Sequence, residues 1–295
     1  VIYDAGLGGA TTVDDAVTGT IVEVDVTAVA QNLTVDLKTD GAADAITVEL
    51  DDIGAGDAIG TIDASDAETL TISVDDDSVT ATGTVAIAGV TLGDATSVVL
   101  AGDAATTITT FTNPTTAVLT SFNSSGMTGS LTMSGLNLAT AGATITLGSG
   151  NDTVTMGTGN GADTIDLSAG GDNTIAYTTQ GQSDAAGMDL VKGFVSGSDD
   201  IDLTGMAIGN VTSTSQFGGV GATKTAAEGL LGGTNNVIAV FQADDNVLWV
   251  DDGDGLLNAN DFRVQLEGVS TIAATDLNLA AACNTIAATA AGVVL

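Results

Sequence analysis

The chain contains no histidine, one cysteine, one proline and only four basic residues among 295. Without histidine it lacks the commonest general base and the commonest metal ligand, and the single Cys283 cannot form a disulfide within the chain. A Gly-x-Ser-x-Gly nucleophile motif and a glycine-rich phosphate loop are also absent from the sequence. We therefore expect that the protein is not an enzyme.

Acidic residues dominate the charge, because 4 basic residues face 38 acidic ones and leave a net charge of −34. This charge excludes nucleic acid and anionic lipid as partners. No run of 18 apolar residues occurs, so we expect no transmembrane segment. Two carboxylates about 10 Å apart in water repel by roughly 0.4 kcal/mol, so we expect bound divalent cations to contribute to stability. The runs 51–52 and 75–77 are predicted to be solvated turn acids.

Short alternations of apolar and polar residues recur along the first half of the chain and predict β-strands. The predicted strands are 21–26, 33–37, 46–50, 70–74, 85–87, 98–100, 131–133 and 145–147. Turns rich in Gly, Asp and Ala separate them, which fits either a sandwich or the coils of a β-helix. Further along, residues 223–231 are the best helix candidate and residues 236–241 form a predicted strand.

Glycine and aspartate alternate between residues 148 and 167 in a pattern that predicts a cation-binding turn. Gly148 and Gly150 allow a turn in which a Cβ would clash, Asp152 offers a carboxylate, and Val154 follows at strand period to point inward. Such a turn supplies only carboxylate and carbonyl oxygens, which are the ligands that Ca²⁺ prefers.

This pattern resembles the nonapeptide of the repeats-in-toxin (RTX) family, Gly-Gly-x-Gly-x-Asp-x-apolar-x. Gly159 and Gly161 precede a second unit at Asp163, and Asn173 takes the aspartate position of a third. The aspartate positions are 11 and then 10 residues apart rather than 9, so each coil is expected to carry an insertion. The resemblance implies that Ca²⁺ is the cofactor and that only a few ions bind. The alternative is a Gly/Asp-rich loop cluster between ordinary strands.

Two later segments strengthen the resemblance to RTX proteins. Residues 189–203 resemble the strand, turn and strand that follow the β-roll, and residues 246–269 resemble the closing hairpin. The resemblance implies an all-β fold, namely a right-handed parallel β-solenoid or β-roll with calcium-binding turns and a β-rich C-terminal cap. An N-terminal β-sandwich followed by a β-roll is the alternative.

We divide the chain into three predicted domains. Residues 1–141 form a β-rich domain (β-helix or sandwich), residues 142–205 form the calcium β-roll with its closing strands, and residues 206–295 form the β-rich cap. The end of the cap, with residues 276–279 and its small apolar tail, is compatible with a type I secretion signal. A final strand that packs on the domain explains the same residues equally well.

The closing hairpin contains a second candidate calcium site. Asp252, Asp254, Asn258 and Asp261 occupy positions 3, 5, 9 and 12 of an EF-hand loop. Position 1 is Val250, which has no side-chain ligand, and strands rather than helices flank the loop. An acidic hairpin turn without a metal is the alternative.

These observations predict a structural subunit of a calcium-dependent surface layer or filament on the outside of a bacterial cell. The resemblance implies secretion and calcium, whereas the expectation of self-assembly rests on a composition of small residues without catalytic groups. The expected partner is a second copy of the chain, and a cell-surface polysaccharide is a further candidate. The alternatives are a calcium-stiffened module of an RTX adhesin and the C-terminal secretion part of an RTX extracellular hydrolase.

Overall fold

A computed structural model of the protein describes residues 2–4, 9–51, 53–76, 83–112, 119–159, 161–206, 216–231 and 237–279. The tail that was considered as part of a secretion signal, beyond residue 279, lies outside this described part.

Strands make up nearly all of the regular structure, as the alternating sequence pattern predicts. The first twelve strands are β1 (Ile2–Asp4), β2 (Thr11–Ala16), β3 (Thr20–Asp25), β4 (Leu33–Leu37), β5 (Ala45–Asp51), β6 (Asp57–Asp63), β7 (Thr69–Val74), β8 (Thr84–Thr91), β9 (Ser97–Gly102), β10 (Ala105–Ile108), β11 (Phe111–Thr112) and β12 (Ser121–Met127). The next seven are β13 (Leu131–Leu136), β14 (Thr144–Thr146), β15 (Thr153–Met156), β16 (Thr164–Asp166), β17 (Thr174–Ala176), β18 (Asp189–Lys192) and β19 (Asp200–Asp202).

Within the described residues, the C-terminal part adds one short helix and five strands. They follow in the order β20 (Gln216–Gly221), α1 (Lys224–Glu228), β21 (Val237–Gln242), β22 (Val247–Val250), β23 (Phe262–Leu266) and β24 (Leu277–Asn278). Two single turns of 3₁₀-helix span Gln180–Gln182 and Ala274–Asp276. Thr223 caps α1, because its side chain accepts a hydrogen bond from the Ala226 amide.

Successive strands alternate between two sheets, so that one strand from each sheet forms one coil of a solenoid. Sheet A has 13 strands in the order β1-β3-β5-β7-β9-β12-β14-β16-β18-β23-β22-β21-β20. Sheet B has 11 strands in the order β2-β4-β6-β8-β10-β13-β15-β17-β19-β24, with β11 beside β8. The described strands β1 to β19 pair only in parallel, in a solenoid of about 8 turns. The predicted parallel solenoid is therefore confirmed, and the sandwich alternative is wrong, because a sandwich needs antiparallel pairs.

The core consists of columns of apolar side chains that stack in register from coil to coil. In sheet A the central column is Ile46, Leu70, Val98, Phe122, Ile145, Ile165 and Val191. In sheet B it is Ile87, Ile108, Met133, Val154, Ile175, Ile201 and Leu277. All these side chains are buried. Each contributes about 1.5–3 kcal/mol by leaving water, so the stacking itself is the main source of stability.

The C-terminal strands close the solenoid. After β19 the chain leaves the coil and forms β20, α1, β21 and β22, and it then returns so that β23 lies parallel to β18 and β24 lies parallel to β19. The predicted closing hairpin is confirmed, because β22 and β23 pair antiparallel. Both sheets continue through residues 141–142 without a break. The three-domain division stays a prediction.

Candidate calcium sites

The glycines of the repeat lie where neighbouring coils approach closely. A Cβ on Gly148 would lie 2.2 Å from the Met127 carbonyl oxygen, and one on Gly150 would lie 2.3 Å from the Gly129 carbonyl oxygen. Both positions therefore exclude a side chain, as the sequence pattern predicts. Contacts of the same kind surround Gly159 and Gly161, where a Cβ would lie 3.0 Å and 2.7 Å from the nearest backbone atom.

Asp152 immediately precedes β15, in sheet B, and the residue is 1% exposed. Its Oδ1 accepts a hydrogen bond of 2.8 Å from the Leu131 amide of the preceding coil. Its Oδ2 is buried and has no hydrogen-bond partner among the described residues. Burial raises the pKa of Asp152, and the Leu131 and Gly148 amides offset part of that rise. An anion with one buried and unsatisfied oxygen is a position that a cation would stabilise.

Asn173 and Asp199 continue the column of Asp152 along the edge of sheet B. Asn173 Oδ1 accepts from the Asp152 amide at 3.1 Å, and Asp199 Oδ1 accepts from the Asn173 amide at 2.8 Å. The second oxygen of Asp199 accepts from the Val195 amide at 2.8 Å. We call Asp152, Asn173 and Asp199 the sheet B corner.

Asp163 lies on the opposite sheet, immediately before β16. Its Oδ1 accepts from the Ala143 amide at 2.8 Å, and its own amide donates to Asp189 Oδ1 at 2.9 Å. The Tyr177 hydroxyl donates to Asp189 Oδ2 at 3.0 Å. We call Asp163, Tyr177 and Asp189 the sheet A corner.

The sheet A corner buries two carboxylates, and among the described residues no cationic side chain accompanies them. Burial raises the pKa of Asp163 to about 6 and that of Asp189 to about 8, against the opposing effect of the amides that bind them. Burial also raises the pKa of Tyr177 well above its ordinary value, and the neighbouring charge of Asp189 adds to this rise.

The placement of Asp152 and Asp163 corrects one expectation. We expected the repeat units to occupy successive coils, each with an insertion, whereas Asp152 and Asp163 lie half a coil apart on opposite sheets. Thr153 pairs with Thr174, 21 residues later, and Thr144 pairs with Thr164. One coil therefore contains two repeat units, and the spacing of 11 residues is the length of half a coil.

The acidic side chains that lie close together in the hairpin loop coincide only in part with the predicted EF-hand positions. Carboxylate oxygens of Asp251, Asp252 and Asp254 lie within 4.8 Å of one another. Asp251, which the EF-hand alignment passes over, is buried, and burial raises its pKa to about 6, with a further contribution from the negative charge of Asp261. Asn258 donates to Asp254 Oδ2 at 2.9 Å.

Asp261 is buried and uses both carboxylate oxygens on the loop backbone. Oδ1 accepts from the Asp252 amide at 2.9 Å and Oδ2 accepts from the Asn258 amide at 2.6 Å. These bonds fix the shape of the loop. The assignment of Asp252, Asp254, Asn258 and Asp261 as calcium ligands stays a prediction, as do the ligands of the repeat.

Two acids of the N-terminal half are misplaced by the sequence pattern. Asp51 was expected to lie in a solvated turn, but it is half-buried at the end of β5. Asp76 was expected to be solvated, but it is buried, and its Oδ2 accepts from the Gly83 amide at 2.7 Å. Its own amide donates to Asp103 Oδ1 of the next coil at 2.7 Å. Asp75 is exposed as expected, whereas Asp52 and Asp77 lie outside the described residues.

The parallel coils, the glycine contacts and the strand-start carboxylates define a β-roll of the calcium-binding type. The family model described as Peptidase M10 serralysin C terminal matches residues 125–278, which is just over half of the chain. The chain therefore belongs to this family, whose members contain an RTX-type calcium-binding β-roll. Neither the curated proteins nor the solved structures contain a match to this chain.

Family membership defines the class of the protein at a coarse level. The matched domain is the non-catalytic C-terminal part of serralysin-type proteases, and it indicates a calcium-binding module of a secreted protein. The residues present fit calcium, because the sheet B corner offers oxygen ligands and the buried Oδ2 of Asp152 makes no hydrogen bond within the described part of the chain. In the described part of the chain, no helix has the length and apolar character needed to cross a membrane.

Proposed function

We propose that this chain is a structural subunit of a bacterial surface layer or extracellular filament, and that it self-assembles when calcium binds. Calcium acts in two places in this proposal. Inside the roll it neutralises buried carboxylates such as Asp152, and between subunits it bridges acidic faces. The family membership supports the calcium and the secretion, and the surface charge supports the assembly.

The observation that carries the assembly proposal is a stack of like charges on the outer face of sheet A. Glu23 pairs in register with Glu49, and Asp25 with Asp51, across the parallel strands β3 and β5. Asp75 follows β7 in the next coil and is exposed. We call Glu23, Asp25, Glu49, Asp51 and Asp75 the acidic stack.

The acidic stack makes contact between two subunits unfavourable unless cations are shared. Neighbouring strands are about 4.8 Å apart, so each in-register pair repels by roughly 0.9 kcal/mol in water. A second copy of the same face adds further repulsion at every pair. Divalent ions bridge two carboxylates directly, whereas monovalent salt only shortens the repulsion to a Debye length of roughly 8 Å.

The composition supports a passive role. The whole sequence contains no histidine, and its single cysteine lies in an apolar tail, so neither a histidine base nor a Cys–His pair is available. Glycine and small residues instead allow the close coil contacts described above. We accordingly propose that the chain has no enzymatic activity of its own.

The test is assembly of the full chain across a calcium series, followed by light scattering and negative-stain microscopy. The wild-type protein should form sheets or fibres in millimolar calcium, disperse in chelator, and respond poorly to sodium chloride. A variant that neutralises the stack, E23Q/D25N/E49Q/D51N, should need at least several-fold more calcium to assemble.

A control variant should separate charge stacking from total charge. D14N/D36N/D172N/E267Q removes the same four charges from exposed positions outside the stack. It should assemble at the wild-type calcium concentration. A wild-type protein that stays monomeric at every calcium concentration contradicts the proposal, and so do two variants that shift the calcium requirement equally.

The family match favours a second candidate, the C-terminal secretion part of an extracellular hydrolase. The matched model describes the C-terminal domain of proteases and covers residues 125–278. A His-Glu-x-x-His motif encoded upstream in the same reading frame would favour this candidate. A calcium-stiffened adhesin module is the remaining alternative, and it would bind calcium as a monomer without ordered assembly.

A further inference from the structure

The negative charge of this chain is distributed unevenly along the solenoid. Residues 104–151 contain no Asp, Glu, Lys or Arg, although the whole chain has 38 acidic residues and a net charge of −34. This segment forms the consecutive strands β10 to β14, which belong to both sheets in the middle of the solenoid. The middle coils therefore present surface without charge on a protein that is strongly anionic elsewhere.

The outer face of sheet B widens this uncharged region to five strands. The in-register column on β8, β10, β13, β15 and β17 consists of Ala86, Thr107, Thr132, Thr153 and Thr174. Every outward side chain that the structure describes on these strands is threonine, serine or alanine. We call the outer surface of these five strands the neutral face.

Acidic residues mark both ends of the neutral face. Asp57 and Asp63 lie at the two ends of β6, which pairs with β8, and Asp200 and Asp202 lie on β19, which pairs with β17. A second copy that contacts this face meets hydroxyl and methyl groups in the middle and carboxylates only at the rim. Contact through an acidic surface instead brings carboxylates together, and their repulsion grows as water is displaced.

The outer face of sheet A offers a smaller uncharged area. The acidic stack lies on β3 and β5 and just after β7, and Asp166 and Lys192 bring charge back at β16 and β18. Most of the uncharged outward side chains between them are half-buried, whereas three neighbouring positions on the neutral face, Ala86, Thr107 and Thr132, are exposed. The uncharged surface that best matches the neutral face is therefore the same face of a second copy, in a two-fold contact.

The size of the neutral face makes this contact weak on its own. Five strands about 4.8 Å apart, with four or five residues of about 3.3 Å each, cover roughly 350 Å² per subunit. The total of about 700 Å² is below the roughly 1,200 Å² of stable complexes. Such a contact is effective in an assembly, where a second contact raises the effective concentration of the partner.

We infer that the neutral face is a calcium-independent contact between two copies of this chain, distinct from the calcium-dependent contact through the acidic stack. The inference rests on the proposed self-assembly and specifies a second surface for it. The two faces belong to opposite sheets and point away from each other, so one copy can use both at once. Alternation of the two contacts then extends the assembly beyond a dimer.

The test is sedimentation equilibrium of the full chain in chelator at high protein concentration. The wild type should form a weak, reversible dimer, and sodium chloride should strengthen it because salt screens the acids at the rim. T107E/T132E and T107K/T132K change in-register neighbours on the neutral face. Each should weaken the dimer at least about tenfold, because like charges then face each other across the contact.

The matched controls are S121E/T144E and S121K/T144K, which place the same charges on in-register neighbours of sheet A. Both should dimerise like the wild type in chelator. Equal weakening by the sheet A and sheet B variants overturns the inference, and so does a wild-type protein that stays monomeric in chelator or whose dimer is weakened by salt. The salt series needs no variant, so it tests the contact even where a substitution impairs folding.

A calcium series separates this inference from the proposed function. T107E/T132E should require more calcium than S121E/T144E to form sheets or fibres. Wild-type assembly in calcium together with equal requirements in these two variants overturns the neutral-face contact alone. A wild type that dimerises in chelator but forms no larger assembly at any calcium concentration supports the contact and contradicts the proposed function.

Discussion

The buried carboxylate of Asp189 predicts an unusual pH dependence in the absence of calcium. Its folded-state pKa is about 8, raised by burial from the ordinary value of 3.8. Between these two values the folded protein binds a proton that the unfolded chain releases. The contribution of Asp189 to stability is therefore fully present below the unfolded pKa and is lost as the pH rises through the folded pKa.

The size of the effect follows from the shift. At 1.36 kcal/mol per pKa unit, the loss at pH 7.5 is at most roughly 5 kcal/mol, and at pH 5 it is roughly 2 kcal/mol. The difference of about 3 kcal/mol corresponds to a Tm shift of about 5 °C for a protein of this size. Asp163, whose pKa is raised to about 6, acts in the same direction.

The assay is thermal melting in chelator at pH 5 and pH 7.5 for the wild type and Asp189→Asn. The wild type should melt at higher temperature at pH 5. The variant should melt above the wild type at pH 7.5, because an amide cannot acquire a charge there, and its own pH dependence should be smaller. Asp172→Asn, at an exposed position, is the matched control and should follow the wild type.

Protonation of many surface carboxylates also relieves repulsion at pH 5. The test therefore depends on the comparison of the wild type with Asp189→Asn and Asp172→Asn at the same pH. If Asp189→Asn melts below the wild type at pH 7.5 in chelator, the carboxylate is stabilising as an anion and the reasoning from burial is refuted. Equal effects in Asp189→Asn and Asp172→Asn would attribute the change to net charge alone.

Three further predictions concern the core, the coil contact and the hairpin loop. Phe122→Ala should lower the free energy of unfolding by about 3–5 kcal/mol in denaturant titration, because the ring is fully buried in the central column of sheet A. Gly150→Ala should destabilise the roll strongly because its Cβ would lie 2.3 Å from a carbonyl oxygen, whereas Gly181→Ala, with open space around the Cβ, should change Tm little. Asp251→Asn should weaken any change in Trp249 fluorescence during calcium titration. The readout is specific because Trp249 is the only tryptophan and precedes the acid cluster. An identical titration curve in the variant would argue against calcium at this loop.

The alternation of apolar and polar residues predicted the strands in which it runs without interruption, such as β5 and β7. It missed β6, because Gly60 breaks the alternation. The structure explains that glycine: a Cβ there would lie 2.1 Å from Asn32 Oδ1 in the neighbouring coil. That contact joins residues far apart in the chain, so local pattern analysis has no access to it.

In the candidate sites, too, the local sequence predicted some features and only the structure showed the others. Spacing identified Asp152 and Asp163 as special positions, but it treated them as equivalent ligands in successive coils. Asp189, which completes the second corner, follows Gly187 at the spacing at which Asp152 follows Gly150, but no full glycine repeat precedes it, and no local pattern indicates its contact with Tyr177. Asp251 was missed because the EF-hand alignment began one residue earlier, at an apolar position.

The sequence by itself determined the class of fold. Glycines at the turns, inward apolar residues at strand period and aspartates before the strands are all local features, and together they specify stacked coils with oxygen-rich corners. Only the tertiary structure decided what each carboxylate oxygen contacts. Asp152 is left with an unpartnered oxygen while Asp189 receives the Tyr177 hydroxyl, because those neighbours are placed by coil stacking and by the packing of Tyr177 on Phe262 rather than by adjacency along the chain.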